Sequence, residues 1–504
     1  MRFKIADINK QKKTEYILMA AVFLGYLALN GILLVCHEPW RDEANVWLMA
    51  RELSPMGLLK EIKYQGHPCL WYFLLMPFAK AGLPFRTIGF VSYAIMAVTA
   101  GLFLYKAPFY KPIKAMVLFS PAFTYYYAVV ARNYCLIALL LILLAIYYPK
   151  RNDRCIRFGL LLGLLVQSDV IALAEAGVIS CFWLGENLRQ CNKQKTMTPL
   201  WNILKGIWIP LVSFLLLIIQ FYHVSDSPVF EVSRFGKMEL LREMKNFSYQ
   251  ILERLSGRGQ TFCFIFILLS MGLMLFISFR LRNIQAVAVM MSAYLFQAAF
   301  SVMVYQLHIW HFLSLCFVFI WTLWLMYEQR GEKQEKAEIT GAALCGLQVL
   351  LLVLSVCMFI RWNAKEESSG LANVLYGSYS DGGGAAGYIR ENITPDELIV
   401  SVDVARASTV AAYLPEYNFY YAGNGQRESY ADWSEEQSKN ITFEELETWV
   451  QNNFPDKKKF YLLESQNSCL GDLEGELGKY QILYKTAEKT AMREEYTIFQ
   501  IDMP

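Results

Sequence analysis

The chain has 504 residues, 55% of them hydrophobic and 15% aromatic, with a mean hydropathy of +0.29. Apolar runs of about twenty residues recur, the length needed to cross a hydrocarbon core, so a soluble globule is excluded and a polytopic membrane bundle is expected. The net charge of +3 hides an asymmetry, with 35 basic against 20 acidic residues in 1–361 and 12 against 24 in 362–504, so the two parts sit in different surroundings and nucleic acid is not an expected partner.

In chain order, Arg2, Lys4, Lys10, Lys12 and Lys13 precede the apolar run Tyr16–Cys36. The excess of positive charge places the N-terminus in the cytoplasm, with Tyr16–Cys36 as a retained anchor and the His37–Gln65 loop outside. That loop holds His37, Glu38, Arg41, Asp42 and Glu43, with His67 just beyond it. Asp42 is expected as the N-cap of an amphipathic helix in which Glu43, Val46, Trp47, Ala50 and Arg51 recur at helical spacing.

Ten further spans are expected, at roughly 86–105, 113–130, 133–148, 157–168, 170–184, 200–222, 260–279, 284–304, 308–327 and 340–361. The segment Pro68–Leu83 is apolar but short and interrupted by Pro77 and Lys80. Reading it as juxtamembrane puts five basic loops, from Lys106–Lys114 to Arg330–Lys336, on the cytoplasmic side, and gives eleven spans. The stretch 157–184 must then be a hairpin of two short helices shielded by their neighbours.

With this parity the turns Ala131–Asn133, Gln167–Asp169, His223–Gly259 and Tyr305–His308 are external. All five histidines (His37, His67, His223, His308, His311) fall near the outer surface with Arg132 and Asp169. Ionisable groups at membrane depth mark functional sites, and here they converge at one depth. Between His223 and Gly259, Leu240, Leu241, Met244, Phe247, Ile251, Leu252 and Leu255 form the apolar stripe of an interfacial helix, either an anchor to lipid or a lid.

Beyond Arg361 helices at 385–391, 405–414 and 443–452 alternate with strands at 398–402, 418–421, 459–463, 481–484 and 496–501, a small external α/β domain of residues 362–504. It has no GxGxxG and no P-loop, and reads as a scaffold or acceptor-binding module. The eleven cysteines are scattered, without a CxxC, and only Cys469 lies in the acidic part, so neither a disulfide framework nor a zinc site is expected.

A membrane-level site outside the cytoplasm has no access to cytosolic nucleotide sugars, so a group donor must arrive on a lipid, held in the bilayer by about 0.8 kcal/mol per CH₂. A sugar leaving from a polyprenyl phosphate needs no strong general acid. It needs one carboxylate to take the acceptor hydroxyl's proton and cations for the departing phosphate. Asp42 supplies the first, with Glu43 beside it; Arg41, His67 and Arg132 are candidates for the second, and Asp169 joins the polar set. Beyond a divalent metal no cofactor is expected. His308 and His311, at i and i+3, are candidate ligands for a divalent metal, against a packing or hydrogen-bonding role.

The order of first span, external Asp-Glu opening a helix, Gly66-His67-Pro68 entering a juxtamembrane segment, and Ala131-Arg132-Asn133-Tyr134 resembles the GT-C superfamily of membrane glycosyltransferases. The resemblance is to its family 39-like branch, which includes protein O-mannosyltransferases and the lipid A aminoarabinose transferase. It implies a mainly α fold: a GT-C-type bundle of about eleven spans over residues 1–361, with juxtamembrane helices and an external C-terminal domain. It also implies a catalytic aspartate at Asp42. Where many relatives carry Lys-Pro-Pro, this chain has His67-Pro68-Cys69.

The expected activity is inverting transfer of a sugar from a polyprenyl-phosphate donor to a glycan, lipid or protein acceptor on the outer face of the membrane. The alternative is a lipid-linked-glycan transporter or flippase, which would line a path across the bilayer with polar groups at its midplane. Clustering at one face favours the enzyme.

Overall fold

The computed structural model describes residues 2–222, 237–331, 337–364, 370–422, 426–427, 430–433, 441–465 and 480–503; His223 and Cys469 lie outside them. Eight described helices are long and apolar enough to cross a membrane: Lys13–Cys36, Thr87–Lys106, Val170–Gln194, Thr198–Gln220, Gln260–Leu281, Gln285–Met303, Ile309–Arg330 and Glu338–Trp362. Two shorter apolar helices, Tyr134–Lys150 and Cys155–Val166, account for the expected spans at 133–148 and 157–168. The chain is a multi-pass membrane protein with a small C-terminal sheet.

Three expectations change. The helix placed at 170–184 runs on to Gln194, so only its partner Cys155–Val166 is short. That short helix packs backbone to backbone against Thr198–Gln220: a Cβ on Gly159 would lie 2.1 Å from the Gly206 carbonyl oxygen, and a Cβ on Gly206 2.1 Å from that of Cys155. Small residues permit such contact, which shields a helix below spanning length.

The span expected at 113–130 is not one helix. Lys111–Leu118 stops before Pro121, and only Tyr125–Ala128 resumes helical form. Proline lacks the N–H to continue the ladder. Irregular backbone at membrane depth is tolerated inside protein, and residues 120–134 are all buried. Neighbouring helices bond the freed carbonyls: the Tyr26 hydroxyl donates to Phe123 O at 2.8 Å and the Ser92 hydroxyl to Tyr127 O at 2.9 Å.

In the interfacial helix, found at Lys237–Ser256, Leu241 is exposed, whereas Phe247, Ile251, Leu252 and Leu255 are buried as expected. Pro68–Leu83 contains the 11-residue helix Leu70–Lys80, too short to span, which packs against the Arg41–Glu52 helix.

The C-terminal sheet comprises β1 (Ile399–Ser401), β2 (Phe419–Tyr421), β3 (Gln426–Arg427), β4 (Lys459–Glu464), β5 (Tyr480–Lys485) and β6 (Thr497–Asp502), in the order β3-β2-β1-β4-β6-β5. β1 is parallel to β2 and β4; the other pairs are antiparallel. Its two faces separate by strand alternation. Val400, Phe460, Leu462 and Ile501 pack with Leu446 and Val450 of the Phe443–Asn453 helix in a small core. Ile399, Tyr461, Leu463 and Ile498 instead join the main core, which also contains Trp47, Phe85, Val410 and Trp362. The composition shift near residue 361 is therefore not a break in packing.

Candidate functional site

A cavity of about 350 Å³ opens where the first loop, three inter-helix turns and the C-terminal domain meet. Its walls include Arg41, Asp42, His67, Arg132, Asp169, His308 and His311, so seven of the eight site residues expected from sequence come together there. Glu43 does not.

The helix register explains the split. Trp40, in extended conformation, occupies the N-cap position and the helix begins at Arg41. Asp42, expected as the cap, is the second helical residue. The capping work falls to Glu43, which accepts from Trp40 N at 3.1 Å. Glu43 is 0% exposed and fully engaged: it also accepts from His37 Nε2 at 3.0 Å and from Ala131 N at 2.7 Å. Through Ala131 it pins the turn that carries Arg132. Asp42 is left free to face the cavity, with its side chain 23% exposed.

Arg132 bridges two groups. One guanidinium nitrogen donates to Asp42 Oδ2, and Nη2 donates to His67 Nε2 at 2.6 Å. Because Arg only donates, His67 Nε2 accepts, and the ring proton sits on Nδ1. That nitrogen lies 3.2 Å from Asp169 Oδ2, within ion-pair reach but off a hydrogen-bond line. Gly66, at φ +71°, turns the chain so that His67 enters the cavity. Asp169 is fixed by Asn133 Nδ2 at 2.6 Å and Ile171 N at 3.0 Å. Arg41 Nε stands 3.6 Å from the other Asp42 oxygen.

Burial works to raise the Asp42 carboxyl, but Arg132 and Arg41 outweigh it and hold the group below its ordinary value. At Asp169 burial is likewise outweighed, chiefly by the His67 ring nitrogen beside it, and the group is held below its ordinary value. Burial pushes the His308 imidazole down. His311 Nδ1 accepts from His308 N at 2.9 Å, so the two histidines already bond to one another. Among the described residues no group of three or more His, Cys, Asp or Glu is placed to hold a metal ion.

Several buried donors at the cavity have no hydrogen-bond partner among the described residues: Trp40 Nε1, Arg41 Nε and Arg132 Nε. Buried donors are seldom left unpaired, and three on residues lining one cavity make a site prepared for an anion or a polyhydroxylated ligand.

No family model matches the chain, and no curated protein matches it in sequence. Solved structures do. ArnT from Cupriavidus metallidurans bound to undecaprenyl phosphate matches with a TM-score of 0.54 at 10% identity, over 96% of this chain and 97% of that one. ArnT from the same organism in the apo state gives 0.52 at 11% identity, over 97% and 98%. The fold is that of ArnT. The layout expected from sequence, a helical bundle with a small C-terminal α/β portion, is the layout found.

Within this ArnT-like fold the C-terminal domain reaches the site, which sequence reasoning missed. Trp433 and Met492 line the cavity, and Glu494 Oε1 accepts from Arg41 N at 3.0 Å, holding the start of the helix that carries Asp42. Glu494 is 0% exposed, with Ser380 Oγ at 2.8 Å and Thr409 Oγ1 at 3.2 Å on its other oxygen. No motif marks it; contacts across 453 positions leave no local pattern. Trp40, Tyr305 and Trp310 were also missed, although their proximity in sequence to Asp42 and His308 was a usable signal.

Burial raises the Glu494 carboxyl to about 7. The folded chain therefore keeps this proton over a range where the unfolded chain, near 4.5, has lost it. Stability falls as pH rises through that window and levels off above it, by about 3 kcal/mol in total. Glu494→Gln supplies a permanently neutral group, so the thermal midpoint of the variant should lose this component of its decline between about pH 5 and 7. An unchanged slope would assign the pH dependence elsewhere.

Proposed function

We propose that the chain transfers a sugar from a polyprenyl-phosphate carrier to an acceptor hydroxyl at this cavity, with inversion, on the extracytoplasmic face of the membrane. The observation that carries the reading is the ionised Asp42 in a cavity whose lining residues carry buried donors with no hydrogen-bond partner among the described residues. The ArnT structure bound to undecaprenyl phosphate supports the class of carrier.

In this reading the donor phosphate sits on Arg132 and Arg41, with Trp40 Nε1 as a further donor. Sharing Arg132 with phosphate weakens its hold on Asp42 and makes that carboxylate a better base. The acceptor O–H gives its proton to Asp42 as its oxygen attacks the anomeric carbon. The bond from that carbon to the phosphate oxygen breaks on the opposite face, and polyprenyl phosphate leaves with its charge held by the arginines. His67 and Asp169 keep Arg132 in place, and Glu43 positions it through Ala131. An apolar cavity of about 430 Å³ beneath Leu252 and Leu255, lined also by Phe266, Met274, Tyr294 and Phe319, is the place for the carrier's chain. This gives the interfacial helix the role of a cover. The gathering of charged groups in one cavity supports an enzyme over a transporter.

Mass spectrometry of envelope glycans from a deletion strain tests the reading. One sugar modification should disappear, return with the wild-type chain, and fail to return with Asp42→Asn. Its return with that variant would end the enzymatic reading. The orientation is tested by labelling intact cells in a background lacking the exposed Cys36 and Cys181. A cysteine at Tyr376, 89% exposed, should react with an impermeant maleimide, and one at exposed Asp153 should not. The reverse pattern would invert the topology.

A further inference from the structure

Part of the cavity wall belongs to the C-terminal domain, and the way it is held is unusual. Ala431 is buried, and both of its main-chain polar groups are taken by side chains of the first loop: its N–H donates to Asn45 Oδ1 at 2.7 Å and its C=O accepts from Gln65 Nε2 at 3.0 Å. Asn45 Nδ2 donates to Gln65 Oε1 at 2.7 Å and closes the ring. Asn45 stands one helical turn after Asp42, and Gln65 two residues before His67, so the ring is tied directly to both reacting walls. Two residues beyond Ala431, Trp433 lines the cavity at φ +60°, a left-handed conformation that large side chains rarely adopt. Backbone held in such a region persists where its surroundings fix it, and it gathers at ligand sites.

We propose that Trp433 is a stacking wall for the sugar ring of the donor, placed by the Asn45–Gln65–Ala431 ring; this rests on the function proposed above. A sugar ring presents polar edges and an apolar face of C–H groups. Asp42, Arg41 and Arg132 suit the phosphate and the hydroxyl edges. The apolar face needs a broad aromatic surface with a negative π-face, and indole is the largest available. Stacking of this kind selects a ring at a given place without reading each hydroxyl. The amide groups of Asn45 and Gln65 are occupied by each other and by Ala431, so both act as positioning residues.

The test uses the full chain in nanodiscs, with bare undecaprenyl phosphate and a panel of undecaprenyl-phosphate-linked hexoses and pentoses as probes. Trp433→Ala should leave binding of the bare carrier unchanged and weaken the preferred sugar-linked carrier about tenfold, with Trp433→Phe recovering most of the loss. Asn45→Ala should weaken the sugar-linked carrier in the wild-type background and cost nothing further in Trp433→Ala, since it acts through that residue. Equal binding of the sugar-linked carrier by wild type and Trp433→Ala would overturn the proposal. So would a loss shared equally by the bare carrier, or a wild type that gains nothing from any attached sugar. Additive losses would overturn the positioning role of Asn45. A wild type that binds no undecaprenyl species at all would refute the proposed function itself, whatever Trp433 does.

Discussion

Asp42→Asn should abolish most transfer while leaving the donor bound. General-base catalysis contributes about 10²–10⁴-fold, and an amide cannot accept the acceptor's proton, so kcat should fall by that factor. The amide oxygen still accepts from Arg132, and because Asp42 is no helix cap, the helix start is untouched. The stability cost is the charge component of one partly exposed pair, about 1–2 kcal/mol. Donor affinity should hold or improve, because a negative charge beside the incoming phosphate has been removed. Glu43→Gln is expected to behave in the opposite way. It disturbs a fully buried carboxylate with three partners, so thermal stability should drop by about 2–4 kcal/mol, with transfer per folded molecule much less affected. Transfer assayed from a purified donor in liposomes, alongside thermal unfolding of both variants, separates the two. A catalytic loss in Glu43→Gln with unchanged stability would move the base to that residue.

The second large effect is expected at Arg132. Its guanidinium spans Asp42 and His67, a geometry that a single ammonium cannot reproduce. Arg132→Lys keeps the charge and loses the fork, so donor affinity should fall about tenfold to a hundredfold, the worth of one charge-assisted hydrogen bond. Arg132→Ala removes the counterion as well. It should cost about 2 kcal/mol of stability, less than a fully buried pair because the Asp42 side chain remains 23% exposed. Calorimetric titration with undecaprenyl phosphate measures the first effect and thermal unfolding the second. Undiminished affinity in Arg132→Ala would reassign the residue to packing.

The helical bundle, the C-terminal α/β pattern and the convergence of His67, Arg132 and Asp169 on Asp42 were legible in the sequence, because hydropathy and charge act over single segments. The register of the first-loop helix was not. Asp, the stronger capping residue, was outcompeted by a reach-back from Glu43 that also serves His37 and Ala131. The break in 113–130 was signalled by Pro121, but the aromatic run Tyr125–Tyr127 masked it by looking like continuous apolar span. Glu494, and the reach of Asn45 and Gln65 to Ala431, carried no signal, since these partners lie on distant elements.

The bond from Arg41 N to Glu494 has a consequence for biosynthesis. The two residues are separated by 453 positions, and chains emerge and fold from the N-terminus. The helix that carries Asp42 is synthesised long before the residue that accepts its first N–H. Each described helix long enough to span a membrane precedes Glu494 in the chain. A nascent chain therefore cannot hold this cavity in finished form until residue 494 has been made, and a chain truncated before it leaves Arg41 N without this acceptor.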